Sequence, residues 1–267
     1  LVISAWGKSG AKESTKKIEQ LLLEMEKVDD TLKPNTVTYS TVLNAFAKSN
    51  DPSSYDSAIR VLKRMEDGLI NVVPNAFCYA SVMECISKSS DRNSIPSKAM
   101  ILLRQLSNQS ASGRTSKDSY TVVFNTAIKA LENSSEKRKD KVAKQFITLM
   151  KEGHESGAIK APLNVRTYNA AIRACAFTKG GDNDKREAFS TAFDTLNELR
   201  SAKNASPDLY TYPAMIRASE ELLGLSDNDL KQIRSIFIMC CADGLVDALL
   251  LKNMVNFLPK GFMRSLL

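Results

Sequence analysis

The sequence predicts an all-α fold, a solenoid of stacked helix–turn–helix repeats, and three patterns support this prediction. The stretch "SAWGKSG" at 4–10 recurs as "NAFAKSN" at 44–50 and, more weakly, as "ECISKSS" at 84–90, at an interval of 40 residues. Apolar residues follow helical spacing along most of the chain, and polar turns and prolines separate the helical segments. A fixed period of this length is typical of repeat architectures, in which each unit packs on its neighbours.

The first helix of each repeat is marked by an aromatic residue, and these residues fall 40 to 45 positions apart. They are Tyr39, Tyr79, Phe124, Tyr168 and Tyr212. An apolar residue follows each of them by four positions and a small residue by six positions. Because residues four apart share one face of a helix, the pattern predicts a packed face with room for a neighbouring helix.

The second helix of each repeat carries apolar residues at positions i, i+3, i+4 and i+7, as in Ala58, Val61, Leu62 and Met65. This spacing predicts an amphipathic helix with one face to bury. Polar linkers such as "KSNDPSSYDS" join the two helices, and "LKPN", "VVPN" and "SPD" stand between repeats. Proline at these points ends one helix before the next begins.

The repeat boundaries follow from these patterns. We predict a partial repeat at 1–35, repeats at 36–75, 76–120, 121–164, 165–208 and 209–247, and a closing helix at 248–267, all in one domain. The repeat at 76–120 is degenerate, because Ser119 and Tyr120 stand where a proline is expected before the next repeat. Because the chain starts inside a helical pattern, we expect it to be a fragment of a longer protein.

Composition excludes several enzyme classes. Gly7-Lys8-Ser9 looks like the end of a phosphate-binding P-loop, but Val2 stands where that loop needs its other glycine. The five cysteines form no C-x-x-C pair and His154 is the only histidine, which argues against zinc sites and histidine triads. We therefore expect no catalytic constellation, metal, cofactor or small-molecule substrate. The net charge of +7 favours polyanions weakly, and no apolar run reaches the roughly 20 residues of a membrane span.

Three stretches resemble the start of a pentatricopeptide repeat. They are "PNTVTYSTVLNAFAKSN" at 34–50, "LNVRTYNAAIRACAFTKG" at 163–180 and "PDLYTYPAMIRA" at 207–218. The resemblance implies a right-handed superhelix that binds single-stranded RNA as a monomer, with one base read by each repeat. It also implies a place in mitochondrial or plastid RNA metabolism. The repeats here are longer than is usual in the family, mostly in their linkers.

The resemblance also assigns residues to base reading, in pairs formed by the residue after the tyrosine and the last residue of the repeat. The pairs are Ser40 with Asn75, Asn125 with Asn164, and Asn169 with Asp208, with Asn35 left from the partial repeat. Two further pairs contain Ala80 and Pro213, whose side chains cannot hydrogen-bond. We expect those two repeats to space the RNA rather than to read it.

Two further sets of residues are expected to contact the RNA. The side chains predicted to sandwich the bases are Val37, Phe77, Val122, Arg166 and Tyr210. The side chains predicted to meet phosphates are Lys8, Lys48, Lys88, Lys129, Arg173 and Arg217. A purely structural interpretation is also open: asparagine and serine near helix starts act as caps, and the lysines form a solvated face.

Two other functions remain open from the sequence. One is a helical scaffold of the tetratricopeptide kind, which would bind a protein or peptide through apolar anchors in its inner groove. The other is the RNA-binding arm of a larger enzyme, such as a protein-only ribonuclease P. The aspartate-rich nuclease pattern of such an enzyme is not found in this sequence, so its catalytic part would lie outside the chain.

Overall fold

The computed structural model describes residues 2–9, 13–27, 33–68, 72–111, 120–159 and 162–266, and within these ranges it contains helices and no strands. The helices are α1 (Val2–Lys8), α2 (Ser14–Glu26), α3 (Thr36–Lys48), α4 (Ser54–Glu66), α5 (Ala76–Ser87), α6 (Ile95–Ala111), α7 (Tyr120–Asn133), α8 (Lys139–Glu155), α9 (Val165–Ala176), α10 (Asp182–Ser201), α11 (Thr211–Leu222), α12 (Asp227–Ala242), α13 (Ala248–Phe257) and α14 (Lys260–Leu266). The all-α prediction is confirmed.

The helices pack as two compact units. The first unit contains Leu1–Ser135 with Leu149–Pro162, and the second contains Glu136–Thr148 with Leu163–Leu267. Inside the first unit, α3 packs against its hairpin partner α4 and against α5, the equivalent helix of the next repeat. Inside the second unit, α9 packs in the same way against α10 and α11. Each unit therefore shows the packing expected of stacked helical hairpins.

The aromatic column forms the centre of each hairpin. Tyr39, Tyr79, Phe124, Tyr168 and Tyr212 are all buried. The apolar residue four positions after each one is also buried: Leu43, Met83, Ile128, Ile172 and Ile216. Burying a large apolar side chain stabilises the fold by about 1.5–3 kcal/mol, so this column contributes heavily to holding the repeats together.

The second helices also bury the predicted faces. Ala58, Val61, Leu62 and Met65 of α4 are buried, and so are the equivalent residues of α6, α8 and α12. The end of the chain differs from the single closing helix that the sequence suggests. Two helices, α13 and α14, occupy this region, because Pro259 has no N–H to continue the helical ladder.

Buried tyrosine hydroxyls are satisfied by carboxylates at the ends of second helices. Tyr39 donates to Glu26 at 2.6 Å, and Glu26 is also paired with Arg64 at 2.7 Å. In the second unit, Tyr212 donates to Asp243. Burial and the neighbouring carboxylate raise the pKa of Tyr39 and of Tyr212 well above the ordinary tyrosine value. These bonds tie α3 and α11 each to a second helix and hold their tyrosines in place.

Candidate nucleic-acid interface

At several repeat boundaries, the last residue of one repeat caps the first helix of the next. The side-chain oxygens of Asn35, Asn75 and Asn164 accept hydrogen bonds from the backbone N–H three residues later, at 3.0, 3.1 and 3.1 Å. Asp247 caps α13 in the same way, through the N–H of Leu250 at 2.7 Å. The capping interpretation is thus correct for these residues. It uses only one oxygen, so the amide N–H groups of the asparagines remain for a second role.

The residue two positions after the last residue of a repeat projects into solvent, although several of these side chains are large and apolar. The exposed fractions are 72% for Val37, 65% for Phe77, 45% for Val122 and 77% for Tyr210. Arg166 holds the same position and is also exposed. Aromatic and aliphatic groups left exposed at one repeated position are typical of a contact surface.

In the first unit, two of these exposed side chains flank a predicted base-reading pair. Val37 and Phe77 line a groove of about 400 Å³ together with Ser40 and Asn75. The Ser40 hydroxyl donates to the carbonyl of Thr36 at 2.7 Å, as serines in helices often do. The structure therefore brings this predicted pair to one groove, with an apolar group on either side.

Ser40 has a second neighbour, which lies on α5, the first helix of the next repeat. Its Oγ lies 3.3 Å from the sulfur of Cys78. The Ser40 hydroxyl hydrogen is directed to the Thr36 carbonyl, which leaves the Cys78 thiol as a weak donor to Oγ, and burial raises the pKa of that thiol. Ser40 is held on both sides, but the contact to the next helix is a weak one.

In the second unit, the equivalent groove is larger and more polar. It has a volume of about 790 Å³, and its lining includes Arg166, Asn169, Asp208 and Tyr210. The Nδ2 atom of Asn169 donates to Oδ1 of Asp208 at 2.8 Å. The predicted pair is therefore joined by a direct hydrogen bond, as expected if Asp208 orients the Asn169 amide.

The Asp208 carboxylate is itself fixed by the start of α11. Its Oδ1 atom accepts from the backbone N–H of Tyr210 at 3.0 Å and of Thr211 at 3.1 Å. The Thr211 hydroxyl donates to Oδ1 of Asn169 at 2.8 Å. Asn169 is 8% exposed, so both amide atoms sit in a defined hydrogen-bond network at the base of the groove.

The third predicted pair is divided between the two units. Asn125 lies on α7 in the first unit, and Asn164 precedes α9 in the second. The Oδ1 atom of Asn125 is buried and has no hydrogen-bond partner among the described residues. A buried acceptor of this kind is costly unless a ligand or a water satisfies it.

The predicted phosphate contacts are all exposed but differ in their surroundings. Arg173 and Arg217 line the second-unit groove, and Arg217 lies over the ring of Phe177 at 5.1 Å. Lys88 instead pairs with Glu84 at 3.5 Å and donates to the carbonyl of Ala47. Lys88 thus sits at a helix end rather than in either groove. Lys8, Lys48 and Lys129 are exposed on their helices and line neither groove.

Several groove residues were not identified from the sequence. Asn253 and Asn256 of α13 line the second-unit groove, and Thr211 contacts the predicted pair. Thr211 occupies the third position after a cap, as Thr38, Cys78 and Thr167 do. This recurring buried or half-buried position could have indicated a contact to the predicted pair, because small side chains with a donor are unusual on an otherwise apolar helix face.

Within the described ranges, none of the helices is long and apolar enough to cross a lipid bilayer, and no group of His, Cys, Asp and Glu could hold a metal ion. Residues 20–89 match the family model of the pentatricopeptide repeat domain. No curated protein matches the chain. The match confirms the resemblance over these residues, which include the described lining of the first-unit groove, and this family suggests RNA binding in general.

Proposed function

We propose that this chain, which carries a pentatricopeptide repeat domain at residues 20–89, binds single-stranded RNA in a sequence-dependent manner, with one base for each repeat. The observation that carries the proposal is an arrangement found once in each unit. A polar pair at the base of a groove is flanked by two exposed side chains that suit stacking. Single-stranded bases offer a flat face to such side chains and a hydrogen-bonding edge to the polar pair.

The arginines of the second-unit groove are suited to an anionic ligand. Arg166, Arg173 and Arg217 line the groove, together with the carboxylates of Asp208, Glu220 and Glu221. Guanidinium groups bind phosphate oxygens bidentately and also stack on bases. Apolar side chains such as Pro213 and Ile216 also line the groove, but amide and guanidinium groups lie among them, and such groups can meet base edges and phosphates.

The hydrogen-bond network in that groove fits uracil. One N–H of the Asn169 amide is used by Asp208 and the carbonyl oxygen is used by Thr211, which leaves one amide N–H to donate to a base. A carbonyl oxygen of uracil accepts such a hydrogen bond. The pair Ser40 with Asn75 resembles an adenine-preferring combination and Asn125 with Asn164 a pyrimidine-preferring one. Repeats of this family read RNA from 5′ to 3′ in the order from N- to C-terminal repeat. The expected core of the bound RNA is therefore adenine, any base, pyrimidine, uracil.

A direct binding measurement tests the proposal. Fluorescence anisotropy with a labelled RNA that contains this core should show tighter binding to the single strand than to a duplex of the same sequence. The binding constant should fall steeply as salt rises, because phosphate contacts release counterions. Equal or tighter binding to the duplex, or no binding to any RNA at low salt, would contradict the proposal.

The biological setting belongs to the same proposal and is supported only by the family resemblance. Pentatricopeptide repeat proteins are mostly proteins of mitochondria and plastids, where they act in RNA processing, stability, editing or translation. Imaging of the full-length protein with an organelle marker tests this point. A diffuse or nuclear signal would contradict it without affecting the binding proposal.

A further inference from the structure

We infer that Thr211 is a positioning residue that sets the choice between uracil and cytosine by occupying the carbonyl oxygen of Asn169. This inference rests on the proposed RNA binding. Thr211 is fully buried at the start of α11, and its hydroxyl donates to Oδ1 of Asn169 at 2.8 Å. It therefore acts on a base only through Asn169.

The orientation of the Asn169 amide is fixed from two sides. Its nitrogen faces the Asp208 carboxylate at 2.8 Å, and its oxygen faces the Thr211 hydroxyl. Turning the amide by half a turn would place its oxygen against the carboxylate, and two acceptors would then repel each other. Asn169 is consequently held with its oxygen occupied and with one N–H left to donate.

The Thr211 hydroxyl has the capacity for this role. It accepts from the backbone N–H of Asp208 at 2.9 Å, which leaves its single hydrogen for an acceptor. Two acceptors are near, Oδ1 of Asn169 at 2.8 Å and Oδ1 of Asp208 at 3.0 Å. The Asp208 oxygen is already supplied by two backbone N–H groups, so the Asn169 oxygen is the acceptor that depends on Thr211.

The occupied oxygen discriminates between the two pyrimidines. Uracil carries a carbonyl acceptor at C4, as thymine does, whereas cytosine carries an amino donor at that position. An Asn169 that can only donate matches uracil. With its oxygen released, the same side chain could also accept from the cytosine amino group.

The first unit supports a general role for this position. Cys78 stands three residues after its cap, as Thr211 does, and its sulfur lies 3.3 Å from the reading side chain Ser40. In both grooves, the reading residue of one helix is therefore contacted by the third residue after the cap of the next helix. The strength of that contact differs, because a thiol is a weaker donor than a hydroxyl.

The test compares Thr211→Val with two matched variants. Valine keeps the shape of threonine and removes the hydroxyl, whereas Thr211→Ser keeps it. Thr167→Val removes a hydroxyl at the same position of the preceding first helix, where it bonds to the cap Asn164 and not to Asn169. Each protein is titrated by anisotropy against two RNAs that differ only by uracil or cytosine opposite this repeat, and its unfolding temperature is measured.

We expect the uracil-to-cytosine preference of Thr211→Val to fall by at least about fivefold, through a gain in cytosine binding. Thr211→Ser and Thr167→Val should keep the native preference. If Thr211 had a purely structural role, Thr211→Val would weaken the binding of both RNAs equally, with no gain in cytosine binding. That result would overturn the inference. Native protein that binds RNA with a uracil preference unaffected by Thr211→Val would also overturn it. Native protein that binds no RNA would instead overturn the proposed function and this inference with it.

Discussion

The two grooves are built to one plan but are stabilised very differently. In the first unit, Ser40 and Asn75 line a groove of about 400 Å³ whose described lining residues include no cation, and Ser40 is tied to the next helix by a thiol contact of 3.3 Å. In the second unit, Asn169 and Asp208 share a hydrogen bond of 2.8 Å in a groove of about 790 Å³ that three arginines line. Affinity and base selectivity should therefore be concentrated in the second unit, where arginines and a fixed amide occur together.

The largest expected effect comes from removing charge in the second-unit groove. Changing Arg173 and Arg217 together to alanine should weaken binding to all RNAs by about 3 kcal/mol, because each is expected to lose a charged hydrogen bond to phosphate. The slope of log affinity against log salt should also become shallower by about 1.4, roughly 0.7 for each phosphate contact. Anisotropy titrations at several salt concentrations measure both quantities.

The matched control is Lys88→Ala, since Lys88 is an exposed cation that pairs with Glu84 and lies outside both grooves. It should change the slope little. If Arg173→Ala with Arg217→Ala altered base preference while leaving overall affinity intact, their assignment to phosphate would be wrong. If removing the groove arginines and removing Lys88 caused equal losses of RNA affinity, the positive charges would be acting on the RNA regardless of whether they line a groove.

The next effect sharpens the comparison by exchanging the reading pairs. Asn169→Ser with Asp208→Asn should shift the preferred base there from uracil toward adenine by about 1–3 kcal/mol. The reciprocal change, Ser40→Asn with Asn75→Asp, should create a uracil preference in the first unit. That shift should be smaller, because Cys78 is a poorer donor than Thr211 for fixing the new amide. Selection of bound RNA from a random pool measures each position separately.

Each exchanged pair is the other's control, because asparagine and aspartate both cap helices well and the fold should survive. Selected motifs in which neither position responds would show that the base assignment of the family does not carry over to these long repeats. A response in the second unit alone would support the difference between the grooves.

A smaller effect is expected from the exposed side chains that flank the bases. Tyr210→Ala should weaken binding by about 1.5 kcal/mol, as loss of one aromatic stacking surface does. Val37→Ala, at the same position in the first unit, should cost less than about 0.5 kcal/mol because only two methyl groups are removed from a partly solvated contact. Both can be measured with the same labelled RNA, and equal losses would argue against stacking on Tyr210.

The last effect concerns stability at high pH rather than RNA binding. The pKa of Tyr39 is raised by burial and by Glu26, so the unfolded chain ionises this tyrosine at a lower pH than the folded protein does. Its stabilising contribution is complete below about pH 10, where an unfolded tyrosine titrates, and is lost as pH rises further. Tyr39→Phe should cost about 1 kcal/mol at neutral pH and lose less stability above pH 10 than the native protein.

Denaturant unfolding at pH 8 and pH 10.5 measures this difference. Tyr210→Phe provides the control, because Tyr210 is 77% exposed and its ring hydroxyl lies in solvent. If both variants lost stability in parallel with the native protein across this range, Tyr39 would not contribute to the pH dependence.

The helical hairpins could be predicted from the sequence because they depend on local spacing. Leu43, four residues after Tyr39, is buried as that spacing requires, and Pro74 precedes α5 at the predicted boundary. The end of the chain was less predictable. The apolar pattern from 248 onward suggests one helix. The break between α13 and α14 depends on Pro259 alone, which interrupts that pattern.

The grooves were predictable in position but not in geometry. Spacing alone brings Asn169 and Asp208 to one place, because each belongs to a repeated register. It does not show that Thr211 occupies the amide oxygen, since that contact depends on the packing of α9 against α11. Lys88 was misleading for a similar reason, because a lysine on an exposed helix end can reach a backbone carbonyl as easily as it can reach a ligand.

The capping role of the asparagines that end several repeats limits how this protein could change its target during evolution. Asn35, Asn75 and Asn164 each hold the start of a helix with the same side chain that is placed to meet a base. A new base preference at this position is accessible only through residues that still cap, chiefly asparagine, aspartate, serine and threonine. Mutational paths toward a new RNA sequence would therefore run through the residue after the tyrosine, where the helix itself imposes no such demand.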